Sequence, residues 1–268
     1  MRNLYITDLK RIFKDKLFII ACILAGLFAI TNPIINKVLF ELLDMGDMLD
    51  DLINAKTMFF SAFVPGDNLG LIMPIFVSII VCKDFSHGTV RNKIISGKSR
   101  VTIYFSHLLS VATVMCSLVL LHALLTLAVS LCFFPYQSTD FTAADFGYLM
   151  VSILFEMVVY MAISAITTFF ATCAKGVGIC ILLSLAVPFG LSIVGAIFMV
   201  AAQFLDPSTV EFKVVEFINS LNIYTSSLIG AGTTYTAKQV IYILLSPVLI
   251  TTGTTLIGVR RFSKKDLK

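Results

Sequence analysis

Residues 101–134 read VTIYFSHLLSVATVMCSLVLLHALLTLAVSLCFF, without a single Asp, Glu, Lys or Arg. A helix needs about 20 mostly apolar residues to cross the ~30 Å hydrocarbon core of a bilayer, so this run is long enough to cross it with residues to spare. Its apolar residues do not alternate with polar ones, which argues against a barrel strand. In lipid every amide needs an internal partner, so the run predicts a membrane-spanning helix.

Comparable runs lie on both sides of it. Residues 17–36, 58–82, 148–172, 176–202 and 240–259 are predicted as further spans, with a break at Pro65-Gly66-Asp67 near the start of the second and Pro188 as a kink in the fifth. Composition agrees. Hydrophobic residues make up 58% of the 268-residue chain and charged residues 13%. A water-soluble domain carries about 25% charged residues. The expected fold is therefore an all-α integral membrane protein with six transmembrane helices, in one domain spanning 1–268.

Six spans put both termini on one side. Arg2, Lys10, Arg11, Lys14, Lys16, Lys83, Arg91, Lys93, Lys98, Arg100, Lys175, Arg260, Arg261, Lys264, Lys265 and Lys268 then share that side, leaving Lys37, Lys56, Lys213 and Lys238 opposite. The positive-inside rule predicts cytoplasmic termini in a multi-pass plasma-membrane protein. The N-terminal apolar run lacks a cleavage site and is expected to stay as the first span.

Three segments outside the spans carry helical spacing. Residues 4–16 place Tyr5, Leu9, Ile12 and Phe13 on one face, with Asp8, Lys10, Arg11, Lys14 and Asp15 elsewhere, as an interfacial helix beside anionic membrane lipids would. Residues 37–58 repeat Leu42, Met45, Leu49 and Leu52, and their acids Asp44, Asp47, Asp50 and Asp51 form a solvated face rather than an EF-hand. Residues 208–222 read as an outer helix packed on the bundle, with Ser208 and Glu211 at capping-box spacing and Val214, Phe217, Ile218 and Leu221 as its stripe.

Residues 83–100 read KDFSHGTVRNKIISGKSR. Asp84 is placed to cap a short helix over 84–96 whose greasy side is Val90, Ile94 and Ile95 and whose remainder is basic. An acid, then Gly88-Thr89, an apolar position, and Ser99-Arg100 before the third span resemble the pattern of the ABC-2 type permeases, the membrane subunits of bacterial ABC exporters. The N-terminal helix resembles their elbow helix, and the six-span layout is similar too. The chain departs from the family at Asp84, where Glu is usual, at Gly97, where Pro is common, and at His107, where Lys often stands.

The resemblance implies that 84–96 is a cytoplasmic coupling helix. It implies that Asp84, Phe85, His87, Gly88, Thr89, Val90, Arg91 and Ile94 dock on an ATPase subunit. Two copies of that ATPase and a second permease copy, or a related permease, would complete the transporter. The substrate would be hydrophobic or amphipathic: a peptide (antimicrobial peptides included), a lipid-like molecule or a drug. The chain contains no GxxxxGK[ST] loop, so ATP and Mg²⁺ are expected on the partner and no cofactor on this chain. Nucleic acid is not an expected partner.

Other classes are weighed on the same residues. An intramembrane enzyme needs a nucleophile with a base, paired acids or a metal site, and GxSxG and HExxH are both missing, so no catalytic residue is expected. A channel or non-transporting scaffold is the alternative that the 83–100 segment argues against. Glu156 and His122 are the possible intramembrane polar site. Glu156 either contacts substrate or hydrogen-bonds a neighbouring helix; His122 is expected to be structural. His87, His107 and His122 are too far apart for a metal site, and the six cysteines form no CxxC pair.

Overall fold

The computed structural model describes residues 1–42, 54–65, 69–86, 88–137, 141–174, 176–231 and 235–265. Among them are eleven helices and no strand: α1 Arg2–Phe13, α2 Lys16–Leu42, α3 Ala55–Ser61, α4 Leu69–Ser86, α5 Thr89–Ile95, α6 Arg100–Ser130, α7 Ala143–Cys173, α8 Val177–Gln203, α9 Val210–Ser220, α10 Ile223–Gly230 and α11 Ala237–Lys264. The amphipathic repeat expected over 37–58 and its acids fall largely outside the described residues, as do His87, Lys175 and Lys268.

Five of these helices, α2, α6, α7, α8 and α11, are long and apolar enough to cross a membrane. α2, α7 and α11 extend past the runs that predict them, because polar residues at the ends still satisfy a helix ladder, whereas α6 stops at Ser130, four residues short of its run. Thr142 and Thr236 supply capping boxes that begin α7 and α11 upstream of their apolar stretches. The single helix expected over 58–82 is instead two. α3 stops at Ser61, the chain turns through Ala62–Pro65, and α4 restarts at Leu69. The turn is buried rather than wet, and Tyr160 Oη donates to the freed Phe63 carbonyl at 3.0 Å. Irregular backbone at membrane depth is stable when protein satisfies it in this way. With 18 residues, α4 is about 27 Å long.

α6 and α7 form the centre; 56% of each one's apolar window is buried, against about a fifth for the other three spans. α2 approaches α6 through small residues, Ala21, Ala25 and Ala29, while Ile19, Ile23, Leu27 and Ile30 point outward. Small-inward, large-outward is the distribution that lipid selects, since lipid offers no penalty to an exposed isoleucine and close backbone approach supplies the packing. Four buried hydroxyls are satisfied within their own helices: Thr126, Ser164, Thr167 and Thr172 each donate to the carbonyl four residues back.

The outer segment 208–222 corrects the expectation twice. The cap of α9 is Thr209, not Ser208, whose own amide and hydroxyl are taken by Asp206. The stripe Val214, Phe217, Ile218 and Leu221 faces outward, because the opposite side of α9 buries Asn219 and Ser220. There Asn219 Oδ1 accepts from Thr225. The chain then turns at Asn222, which caps α10, a polar helix buried between α7, α8 and α11.

Candidate functional site

One end of the bundle gathers α1, the end of α4, α5, the start of α6 and the ends of α7 and α11. Arg100 donates to the carbonyls of Phe262, Ser263 and Lys265, closing the C-terminal turn of α11 with a cation. Lys265 does the same for α7, donating to Thr172 and Ala174 at 2.7 and 3.2 Å. Most of the basic residues that the sequence assigns to one side are therefore at one end.

α5 is built by its flanks. Gly88 (φ 70°) precedes it and Gly97 (φ 81°) follows it, both in the left-handed region that side chains disfavour. At the C-terminus, Gly97 N–H bonds Ile94 O and Lys98 N–H bonds Lys93 O, a Schellman closure. These two glycines confine the helix to seven residues, Thr89–Ile95. The coupling helix expected over 84–96 is thus shorter, and Asp84 does not cap it. Asp84 lies in the last turn of α4 and is 3% exposed inside the bundle.

There it enters an ion cluster. Arg11 of α1 grips both oxygens of Asp84 in a forked pair. His107 Nδ1 lies 3.6 Å from Asp84 and Lys93 Nζ 4.0 Å. Lys93 in turn donates to Asp8 of α1 at 2.6 Å, and Ser106 donates to the other Asp8 oxygen at 2.8 Å. Burial pushes the Asp8 carboxyl up, but the His107 ring, the Lys93 ammonium and the Ser106 hydroxyl outweigh it and hold the group below its ordinary value. A second pair, Lys83–Asp15 at 3.2 Å, fixes α4 to the α1–α2 corner.

The expected docking residues divide accordingly. Val90 is buried with Ile103, Tyr104 and Phe262, and Ile94 packs on that cluster, so the greasy side of α5 faces the bundle. Phe85 is half-buried, edge-on to Phe262 at 6.0 Å and stacked on His107 at 6.2 Å. Thr89 is half-buried as the first helical residue. Arg91 is exposed, together with Asn92, Ile95 and Lys98. The outward side of α5 and of the turn after it thus carries two cations, Arg91 and Lys98, on either side of Ile95, which is 73% exposed.

Asp8 and Lys93 are cluster members that the sequence reading left on solvent-facing sides. The signal was present: Tyr5, Asp8, Leu9 and Ile12 stand at i, i+3, i+4 and i+7, so Asp8 falls within the apolar stripe and must find a partner. Tyr5 also turns inward, bonding Thr113 at 2.9 Å.

The two intramembrane candidates are not brought together. His122 Nδ1 meets the Ala25 carbonyl at 3.0 Å and joins α6 to α2. Glu156, fully buried in α7, accepts from Ser227 of α10 at 2.8 Å through Oε2, while Oε1 has no hydrogen-bond partner among the described residues. Beside it, Ser152 and Tyr235 both donate to the Gly230 carbonyl, at 2.7 and 2.6 Å. The site pins α10 to α7, which fits the helix–helix bond weighed above. Among the described residues no three metal-ligating side chains cluster.

No curated protein matches the sequence. A family profile described as "protein of unknown function (DUF2705)" matches residues 18–268, nearly the whole chain, and the chain therefore belongs to the DUF2705 family.

Proposed function

We propose that this chain is the membrane subunit of an ABC-2-like transporter that exports a hydrophobic or amphipathic substrate. The observation that carries this reading is α5: a seven-residue helix, closed by left-handed glycines, tied by Lys93 to Asp8 of α1 and Asp84 of α4 and packed through Val90 on α6, with Arg91, Asn92 and Ile95, and Lys98 just beyond it, exposed. A rigid, outward-facing helix at one end of a membrane bundle suits force transfer from a soluble partner. Because Asp84 and Val90 face inward, they hold the docking helix in place, and the contact itself belongs to the basic face around Ile95. α4 serves as the sixth crossing, continued at its outer end by the buried α3 hairpin. The basic end lies in the cytoplasm of a bacterial cell, so both termini do too.

Two ATPase subunits would supply ATP and Mg²⁺, and a second copy of this chain or a related permease would complete the pathway. Closure of the ATPases would shift α5, and the Arg11–Asp84 and Asp8–Lys93 pairs would pass that displacement to α1, α4 and α6 as one body.

Affinity purification in mild detergent from the native cell tests the reading. The wild-type chain is expected to carry a protein with a phosphate-cradling Gly-rich loop. An Ile95→Asp, Arg91→Glu, Lys98→Glu variant, whose changes are all on the exposed face, is expected to lose it while staying folded. Wild-type chain that recovers no ATPase, and conducts ions alone in liposomes, would replace this reading with a channel.

A further inference from the structure

Beside the docking helix, at the same end of the bundle, lies a cavity of about 740 Å³ between the C-termini of α7 and α11. Thr172 and Cys173 form one wall, and Arg260, Arg261, Lys264 and Lys265 the other. Lys265 is committed, since its ammonium closes α7 and lies 5.1 Å from the Phe85 ring. Arg260, Arg261 and Lys264 have no acidic partner among the described residues, whereas Asp8, Asp15 and Asp84 at this end are all paired elsewhere. Three like charges held around one hollow repel one another and select an anion.

The face of α11 that carries them says which anion. Leu249, Leu256, Arg260 and Lys264 follow one another at helical spacing, flanked by Ile257 and Arg261. Leu249, Leu256 and Ile257 are 52%, 65% and 53% exposed. One continuous stripe thus runs from exposed apolar side chains into the basic cavity, the match for a molecule with an acyl chain and an anionic head. The level is right as well: the cavity shares its end of the bundle with α1, whose exposed Ile6, Lys10 and Phe13 suit a membrane surface.

We infer that the cavity binds the phosphate headgroup of an anionic phospholipid from the leaflet at the basic end, with its acyl chains along Leu256, Ile257 and Leu249. The lipid neutralises Arg260, Arg261 and Lys264 and fills the gap between α7 and α11. The inference needs only that these helices span the membrane and does not depend on an ATPase partner.

Cys173 supplies a reporter in the wall. In nanodiscs of phosphatidylcholine alone or mixed with phosphatidylglycerol, alkylation of the wild-type chain by N-ethylmaleimide is followed by peptide mass spectrometry. Phosphatidylglycerol is expected to slow Cys173 and leave the exposed Cys132 unchanged. In detergent, an Arg260→Gln, Arg261→Gln, Lys264→Gln variant should bind phosphatidylglycerol on the order of a hundredfold more weakly than wild type. Equal Cys173 rates in the two wild-type nanodiscs would overturn the inference without recourse to a variant that must fold. Equal protection by inorganic phosphate in phosphatidylcholine nanodiscs would assign the cavity to a soluble anion. Protection there only on adding the ATPase would assign it to that subunit.

Discussion

Asp84 and Glu156 are both buried carboxylates on long helices, yet their surroundings are opposite. Asp84 is one of two acids meshed with Arg11, Lys93 and His107, and the cluster draws on α1, α4, α5 and α6. Among the described residues Glu156 has one hydrogen-bond donor, the Ser227 hydroxyl of α10, and an oxygen with no hydrogen-bond partner. A buried charge is tolerable when paired and hydrogen-bonded, and each pair then makes the elements holding it move together. The basic end is thereby a rigid block built around α5, while the Glu156 region is a local staple between two helices. The two carboxylate sites should therefore respond very differently to substitution.

The largest effect is expected at the cluster. Asp8→Ala leaves Lys93, which is 11% exposed, with only the longer 4.0 Å contact to Asp84, and should cost about 3 kcal/mol in thermal unfolding measured in detergent. Removing both partners in an Asp8→Ala, Lys93→Ala double variant should recover more than half of that loss, because a missing pair costs far less than a broken one. A double-variant loss equal to the sum of the Asp8→Ala and Lys93→Ala losses would mean that the pair is not coupled.

A steric break at the same end should come next. Gly258 of α11 lies against the ring of Tyr104, itself fully buried, so a Cβ would push into it. Gly258→Ala is expected to destabilise by about 1–3 kcal/mol. A neutral outcome would show that α6 and α11 can part there without cost.

Acid sharpens the comparison further. Asp8 titrates below its ordinary value of 3.8 in the folded protein. Its contribution is complete above that value and is lost as the pH falls through the lower folded value. The gap in melting temperature between wild type and Asp8→Asn should therefore be constant near neutrality and shrink below pH 3.8. A gap that is unchanged on acidification would place the effect of Asp8 outside its charge.

The smallest effect belongs to Glu156. In Glu156→Gln the remaining carbonyl still accepts from Ser227, so unfolding should change by less than about 1 kcal/mol. A loss as large as that of Asp8→Ala would show that Glu156 is held as a charge and put it back among the functional candidates.

What the sequence disclosed, and what it hid, follows the range of the forces involved. Spans 17–36, 101–134, 148–172, 176–202 and 240–259 were legible because lipid acts on each residue separately, and a run of apolar residues records that action locally. The amphipathic α1 was legible for the same reason. The two-part α3–α4 segment was legible only as a break near Pro65, since its buried turn depends on Tyr160, far along the chain. α10 went unseen because Ile223–Gly230 is short and rich in Ser and Thr, and only its seat among α7, α8 and α11 makes it helical and buried. The inward turn of Val90 and Asp84 was hidden likewise. Periodicity gives a helix two faces and does not say which one the bundle takes. The partners that decide it, Arg11 and Tyr104 among them, come from other helices.

The docking role proposed for α5 is tested most directly by photo-crosslinking in the native membrane from single positions on it. A crosslinker at Ile95 or Arg91, on the outward face, is expected to capture an ATPase, identified by mass spectrometry, and one at the buried Val90 is expected to capture none. No ATPase from Ile95 or Arg91, in cells where the chain is inserted and folded, would contradict the transporter reading at its centre.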